Sequence, residues 1–304
     1  LHELQPAEYL SSGRRPGSIG LSTQHVLGLN NMVWQDVRPL NPGLRRDDTQ
    51  PPMSPPMTDA LTARLNTAER DRTHKTIRPS DAATLLILDK TTGGPLRVLM
   101  GKRHMRHKFF PGAFVFPGGK VDPSDSRVML TEDYHPDVLA KLMHEMRGPK
   151  TATRARAFGV AALRETYEEA GLFIGSALGT VAPARGVSFA GFEAAGVLPS
   201  LASLRFVARA ITPPKRPRRF DTRFLACWAD AVAGKTIDGL GPSGELEDVA
   251  WLTFDEAKKT EIPPITVTIL DEVAARLATD PKLDPATPVP FYRFVGKAFE
   301  RTLI

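Results

Sequence analysis

The apolar positions fall into two periods. From Ala82 the run AATLLILD reads as a buried strand, and LRVLM, residues 96–100, reads as its partner across a TTGG turn. Between Ala157 and Leu172 the period lengthens to that of a helix, with Val160, Leu163, Tyr167 and Ala170 on one face. Gly171 follows the last periodic residue and predicts a left-handed C-cap. A second helix is expected over Asp137–Arg147, with Val138, Leu142 and Met146 in period and His144 and Glu145 at the surface. Further on, LACWA and VAWLT read as strands, the first entered by a loop RRFDTRF and the second followed by a helix opening at Asp255. One amphipathic helix, Ile265–Ala278, precedes a Pro-rich turn and a short apolar tail.

Residues 1–80 behave differently. Pro, Arg, Ser and Asn dominate, apolar patches such as residues 26–29 are short, and PPMSPPM reads as a linker. A short helix over Asp59–Glu69 is the exception. The expected organisation is an N-terminal extension over 1–80, largely irregular or disordered, a folded domain over 81–262, and a C-terminal helical segment over 263–304 that packs on it.

Length and composition narrow the class. A chain of 304 residues with 41% hydrophobic content supports one large domain with additions or two small ones. Its net charge of +6 suits an anionic partner and leaves nucleic acid, phosphorylated metabolites or no such partner open. Cys227 is the single cysteine, so no internal disulfide forms, as in a reducing compartment. Apolar runs fall short of a membrane span and the first residues lack a secretory centre, so a soluble, cytoplasmic protein is expected.

The chemistry concentrates in the helix. Glu165, Glu168 and Glu169 stand at i, i+3 and i+4, which stacks three carboxylates on the face opposite the apolar one. Such a cluster is costly unless water or a cation offsets the repulsion, and Arg164 can pair with Glu168 one turn on. An isolated Glu-Glu pair is most often a solvated helix face.

The surrounding motif changes that reading. Arg164-Glu165-Thr166-Tyr167-Glu168-Glu169-Ala170-Gly171-Leu172 resembles the second half of the Nudix box, and Phe116-Pro117-Gly118-Gly119 resembles its start. The resemblance implies an α/β/α sandwich with a mixed sheet, and hydrolysis of nucleoside diphosphate-linked compounds with Mg²⁺ or Mn²⁺. It assigns Glu165, Glu168 and Glu169 as metal ligands and Glu165, Glu168 and Arg164 as catalytic. Hard carboxylate oxygens suit such ions.

Residues 99–119 are also similar to the signature upstream of the box in coenzyme A diphosphatases, with Arg103, Gly112 and Phe116–Gly119 in place and His104 and Lys108 departing from it. Arg103, Lys108, Gly118, Gly119 and Arg219 are the expected substrate-binding residues. Forty-four residues separate Gly119 from Arg164, far more than the thirteen of the ordinary box, so an insertion over 120–153 is expected to split it. Asp125 stands where the first Glu of the box would be and, with Glu245 and Glu247, is a candidate for an extra ligand or base. A split box, with TPPKRPRRFDTRFLA and IPPITVTIL, resembles the branch typified by the peroxisomal coenzyme A diphosphatase. In RRFDTRF, Arg218, Arg219 and Arg223 could meet phosphate, or Asp221 could pair with an arginine and pin the loop.

The expected activity is therefore cleavage of coenzyme A or acyl-coenzyme A to 3′,5′-ADP and (acyl-)phosphopantetheine. ADP-ribose, a dinucleotide or capped RNA are alternative substrates. A non-catalytic binder of nucleotide or nucleic acid is the alternative from another class. The expected partner is a small nucleotide-linked molecule rather than nucleic acid or membrane, and a homodimer stays open.

Overall fold

The structure, a computed structural model, describes residues 57–67, 74–90, 94–106, 111–178, 189–237 and 239–304. The patch at 26–29 and the candidate Lys108 lie outside these described residues.

The predicted hairpin forms as β1 (Ser80–Asp89) and β2 (Arg97–Arg103), antiparallel, with Leu88 opposite Val98. Short β3 (Phe114–Val115) runs beside β2 and β4 (Gly118–Lys120) beside β1. Then come α2 (Pro136–Met143), α3 (Ala152–Ala170), β5 (Leu172–Ala177), α4 (Ala190–Ala194), β6 (Val197–Pro199), β7 (Arg205–Ile211), β8 (Phe220–Trp228), β9 (Val232–Lys235), β10 (Leu246–Thr253), α5 (Phe254–Lys259), α6 (Pro264–Thr279), β11 (Pro290–Val295) and β12 (Ala298–Leu303). Among the described residues the main sheet runs β10-β2-β1-β8-β7-β11-β12, with β1 parallel to β8 and β7 parallel to β11. A smaller sheet orders β6-β5-β9.

The mixed sheet has a core on each face, and the alternation of β1 decides which side chain goes where. Leu85 and Ile87 pack with Phe158, Val160 and Leu163 of α3 and with Val138 and Leu142 of α2. Leu86 and Leu88 face the opposite way, against Ile269, Leu270 and Val273 of α6. Both sets are essentially inaccessible to solvent, which is why β1 shows no polar alternation. Full burial of each Phe, Val or Leu on α3 contributes about 1.5–3 kcal/mol. The molecule is thus the expected α/β/α sandwich around a mixed sheet.

Several boundaries differ from the sequence reading. Helix α3 begins at Ala152, where the Thr151 hydroxyl accepts from the Arg154 amide, so five residues assigned to the insertion or to its junction are helical. Helix α2 stops at Met143 because His144 turns extended, followed by Glu145 at a positive φ of 44°, although Met146 is buried as its spacing foretold. RRFDTRF is not a loop for most of its length, since β8 starts at Phe220 and pairs with β1 from Ser80.

The C-terminal segment is helical only to Thr279. Beyond it, β11 and β12 form a hairpin that pairs Phe294 with Phe299 and Tyr292 with Arg301 and extends the main sheet through β7. Tyr292 and Arg301 both bond Glu272 of α6, which ties hairpin and helix together. Helix α1 (Met57–Thr67) buries Leu61 and Leu65, bonds Asp271 of α6 through Arg64, and accepts the Phe299 amide at Asn66.

Candidate active site

The second half of α3 carries the candidate cluster, and the ends of that helix explain its position. Gly171 caps it at φ 68°, its amide bonded to Tyr167 O, and the chain turns at once into β5. Val160, Leu163 and Ala170 are buried, while Tyr167 stacks on Phe173 with ring centroids 4.8 Å apart. That packing fixes the rotation of α3 and turns the acidic face toward β4.

The acidic face is not a solvated stripe. Glu169 is only 4% exposed, and its Oε2 accepts the Gly118 amide at 3.0 Å. The Glu165 carboxylate lies against Gly119, where a Cβ would overlap it, and a Cβ at Gly118 would overlap the Ala83 and Thr84 backbone, so the expected Gly-Gly turn is instead the start of β4, held close to both helix and central strand. Strand β4 pairs Gly118 with Thr84 and Gly119 with Ala83, which anchors both glycines to the central strand.

Arg164 organises the other carboxylates. Its Nη1 donates to Glu165 Oε1 at 2.8 Å and to Glu168 Oε2 at 2.9 Å, the i,i+4 pair foreseen from the sequence. On its other edge Nε donates to Asp125 Oδ1 at 2.9 Å and Nη2 to Lys120 O at 2.9 Å. Asp125 is buried behind Arg164 and also accepts the Asp122 amide at a 3-10 turn, Pro123–Arg127. Here it serves as the counter-charge of the guanidinium and the brace of the turn. Burial alone would lower the Arg164 pKa, but the bonds and charges of Asp125 and Glu165 outweigh it and raise it.

The electrostatics single out two carboxyls. Burial raises Glu165 against the opposing pull of Arg164, with Glu168 and Glu245 adding to the rise. Glu169 is pushed up to about 8 by burial, opposed by the Gly118 amide and Arg103 and reinforced by Glu165 and Glu245. The structure therefore brings Glu165, Glu168, Glu169, Gly118, Gly119, Arg103 and Glu245 within electrostatic reach of one another. Glu247 lies further along the rim in β10, where its Oε1 accepts the Met105 amide at 3.2 Å.

Arg219 is engaged elsewhere. Its Nε donates to Thr212 O and its Nη1 to Ile77 O. Of the two readings of RRFDTRF, the structure bears out the pinning one for Asp221 and Arg223. Buried Asp221 pairs with Arg209 at 2.8 Å and with Arg223 at 3.0 Å, and Arg223 stacks over Phe158. The partner of Asp221 missed in the sequence, Arg209, comes from the neighbouring strand, and no local spacing could reveal it.

A divalent cation fits the donor chemistry: carboxylate oxygens only, with Glu165 and Glu169 desolvated close together so that negative charge there calls for a positive partner. As placed, no three ligating side chains converge among the described residues, because Arg164 holds Glu165 and Glu168.

No family model matches the chain. It is 27% identical to the acyl-coenzyme A diphosphatase NUDT19 of Xenopus laevis, over 31% of this chain and 34% of that protein. The chain thus spans about a third of the length of this curated relative. Among solved structures, a NUDIX hydrolase from Alicyclobacillus acidocaldarius superposes with a TM-score of 0.49 at 25% identity, covering 66% of this chain and 96% of that one. An Ap4A hydrolase from C. elegans superposes with a TM-score of 0.34 at 17% identity, over 65% of this chain and 98% of that one. No helix among the described residues is long and apolar enough to cross a membrane. In its motif, in the interruption of its box and in the sandwich that gathers the helix carboxylates against a Gly-Gly pair, the chain resembles the Nudix hydrolase superfamily, on the side of the acyl-coenzyme A diphosphatases.

Proposed function

We propose that the protein is a metal-dependent diphosphatase whose substrate is coenzyme A or acyl-coenzyme A. The observation that carries this reading is the meeting of Glu165, Glu168 and Glu169 with Arg103 and the Gly118–Gly119 pair at one place. The diphosphate bridge resists water because its anionic oxygens repel a nucleophile. Mg²⁺ or Mn²⁺, when bound, offsets that charge and acidifies water.

The chain's own residues supply the rest. Glu168 and Glu169 would hold the cation, and because burial favours the protonated form of Glu169, cation uptake would depend on pH. Arg164 sets the rotamers of Glu165 and Glu168 through one nitrogen. Glu165 would serve as ligand or as acceptor of the water proton, and Glu245, whose charge acts on both Glu165 and Glu169, is a further candidate for that task. Arg103, lying close enough to lower Glu169, neutralises substrate phosphate. Water adds to one phosphorus, the bridging P–O bond breaks, and the products are 3′,5′-ADP and (acyl-)phosphopantetheine. A reducing, cytoplasmic setting belongs to the same reading, on the single buried cysteine Cys227.

The test is a Mg²⁺-dependent turnover panel of coenzyme A, acyl-coenzyme A, ADP-ribose and NADH, run beside Glu169→Gln. Turnover of the coenzyme A compounds, lost in the variant at limiting Mg²⁺, is expected. Preference for ADP-ribose or NADH would overturn the substrate assignment, and full activity of E169Q would overturn the ligand assignment.

A further inference from the structure

A second concave site lies away from the carboxylate cluster. A cavity of about 160 Å³ opens among Arg147, Arg209, Arg219 and Arg293, with Glu145 as its one acidic lining residue. Its floor is the Phe291 ring, with Arg209 4.3 Å and Arg293 5.6 Å from the ring centroid. Along α3 the eleven residues from Arg154, which bonds Arg147 O, to Glu165 span about 16 Å. The two sites are therefore separate.

The arginines are not equivalent. Arg209 is committed to Asp221 and to the carbonyls of His144 and Glu145. Arg293 is held by Glu300 and Glu145. Neither Arg147 nor Arg219 forms a direct ion pair with a carboxylate among the described residues, and the nearby charge of buried Asp221, which Arg147 helps to hold low, is already shared by Arg209 and Arg223. Arg219 has spent Nε and Nη1 on backbone carbonyls that fix its plane, while Arg147 is exposed at the mouth. The two lie close enough that Arg147, after burial, helps to lower Arg219. Like charges gathered at a half-buried pocket are offset most simply by an anion, and guanidinium groups match phosphate oxygens in geometry. At about 160 Å³ the cavity is below the size that encloses a drug-sized ligand and suits an anionic head group.

We propose that this pocket is a second, metal-independent site for a phosphate group, built partly by the segment that interrupts the box. Glu145 and Arg147 both come from that segment, between α2 and α3. The ligand is either free phosphate or a phosphate monoester whose remaining part lies outside the cavity. The site stands whether or not the diphosphatase reading does.

The test is calorimetric titration of the full chain in EDTA with inorganic phosphate and, separately, adenosine monophosphate. Wild type and Glu169→Gln should bind alike, Arg147→Lys should keep an affinity between wild type and Arg147→Glu, and Arg147→Glu should weaken binding by about tenfold or more with unchanged thermal stability. Affinity should fall as salt rises. Binding of inorganic phosphate alone identifies the free anion, and stronger binding of the nucleotide identifies the monoester; either supports the site. No binding of either probe at millimolar concentration, unchanged binding in R147E, or loss of binding in E169Q would overturn it.

Discussion

Replacing Glu169 by Gln in the metal-free protein should remove a loss of stability that the wild type suffers as pH rises. The folded-state carboxyl is pushed up to about 8 by burial, whereas in the unfolded chain it returns to the ordinary range near 4.5. Between those values the folded chain keeps a proton that the unfolded chain releases. The stabilising contribution is thus complete below about pH 4.5 and is lost as pH rises through about 8. A shift of about 3.5 units at ~1.4 kcal/mol each bounds the loss at about 5 kcal/mol. Glutamine has similar shape and no proton to lose. Urea denaturation in EDTA at steps from pH 5 to 8.5 should show wild type and E169Q close together at the acid end and the variant ahead by several kcal/mol at the alkaline end. Saturating Mg²⁺ should restore the advantage to wild type above neutral pH, because the cation then holds the carboxylate ionised. A difference between the two proteins that stays constant with pH would refute the buried, protonated carboxyl and the pH-linked cation uptake built on it.

Gly119→Ala places a methyl where the Glu165 carboxylate lies, so turnover should fall at least about tenfold while the fold, followed by circular dichroism, persists. Asp125→Asn removes the charge behind Arg164. It should cost about 3–5 kcal/mol in denaturation while changing Mn²⁺ affinity less than Glu169→Gln does. Asp221→Ala leaves Arg209 and Arg223 buried without their shared carboxylate and should destabilise by a similar ~3–5 kcal/mol, with a lowered unfolding midpoint.

Local pattern made the central layer legible. The i, i+3, i+4 carboxylates, the Gly171 cap and the apolar run of β1 are each decided within a few residues, and the structure keeps all three. What depended on distant partners did not show. The C-terminal hairpin is a strand pair only because β7 offers Phe291 and Tyr292 an edge, and its short, interrupted alternation carries little signal alone. Asp125 looked like a spare ligand because the sequence could not say that Arg164 folds back over it. Arg219 looked available for substrate because its backbone acceptors, Thr212 and Ile77, leave no mark in composition. The arginine cavity joins the connection before α3, the β7–β8 hairpin and β11, three stretches far apart in the chain.

The buried contact between Asp125 and Arg164 also bears on how such a chain could be shortened. Asp125 stands six residues after Gly119, so trimming the connection beyond it to the ordinary spacing spares the strut against which the guanidinium rests, whereas a cut through the turn Pro123–Arg127 removes it. What looks like one interruption in the text is thus two pieces in the folded molecule, a short keystone under the helix and a longer stretch that gives the guanidinium no hydrogen bond.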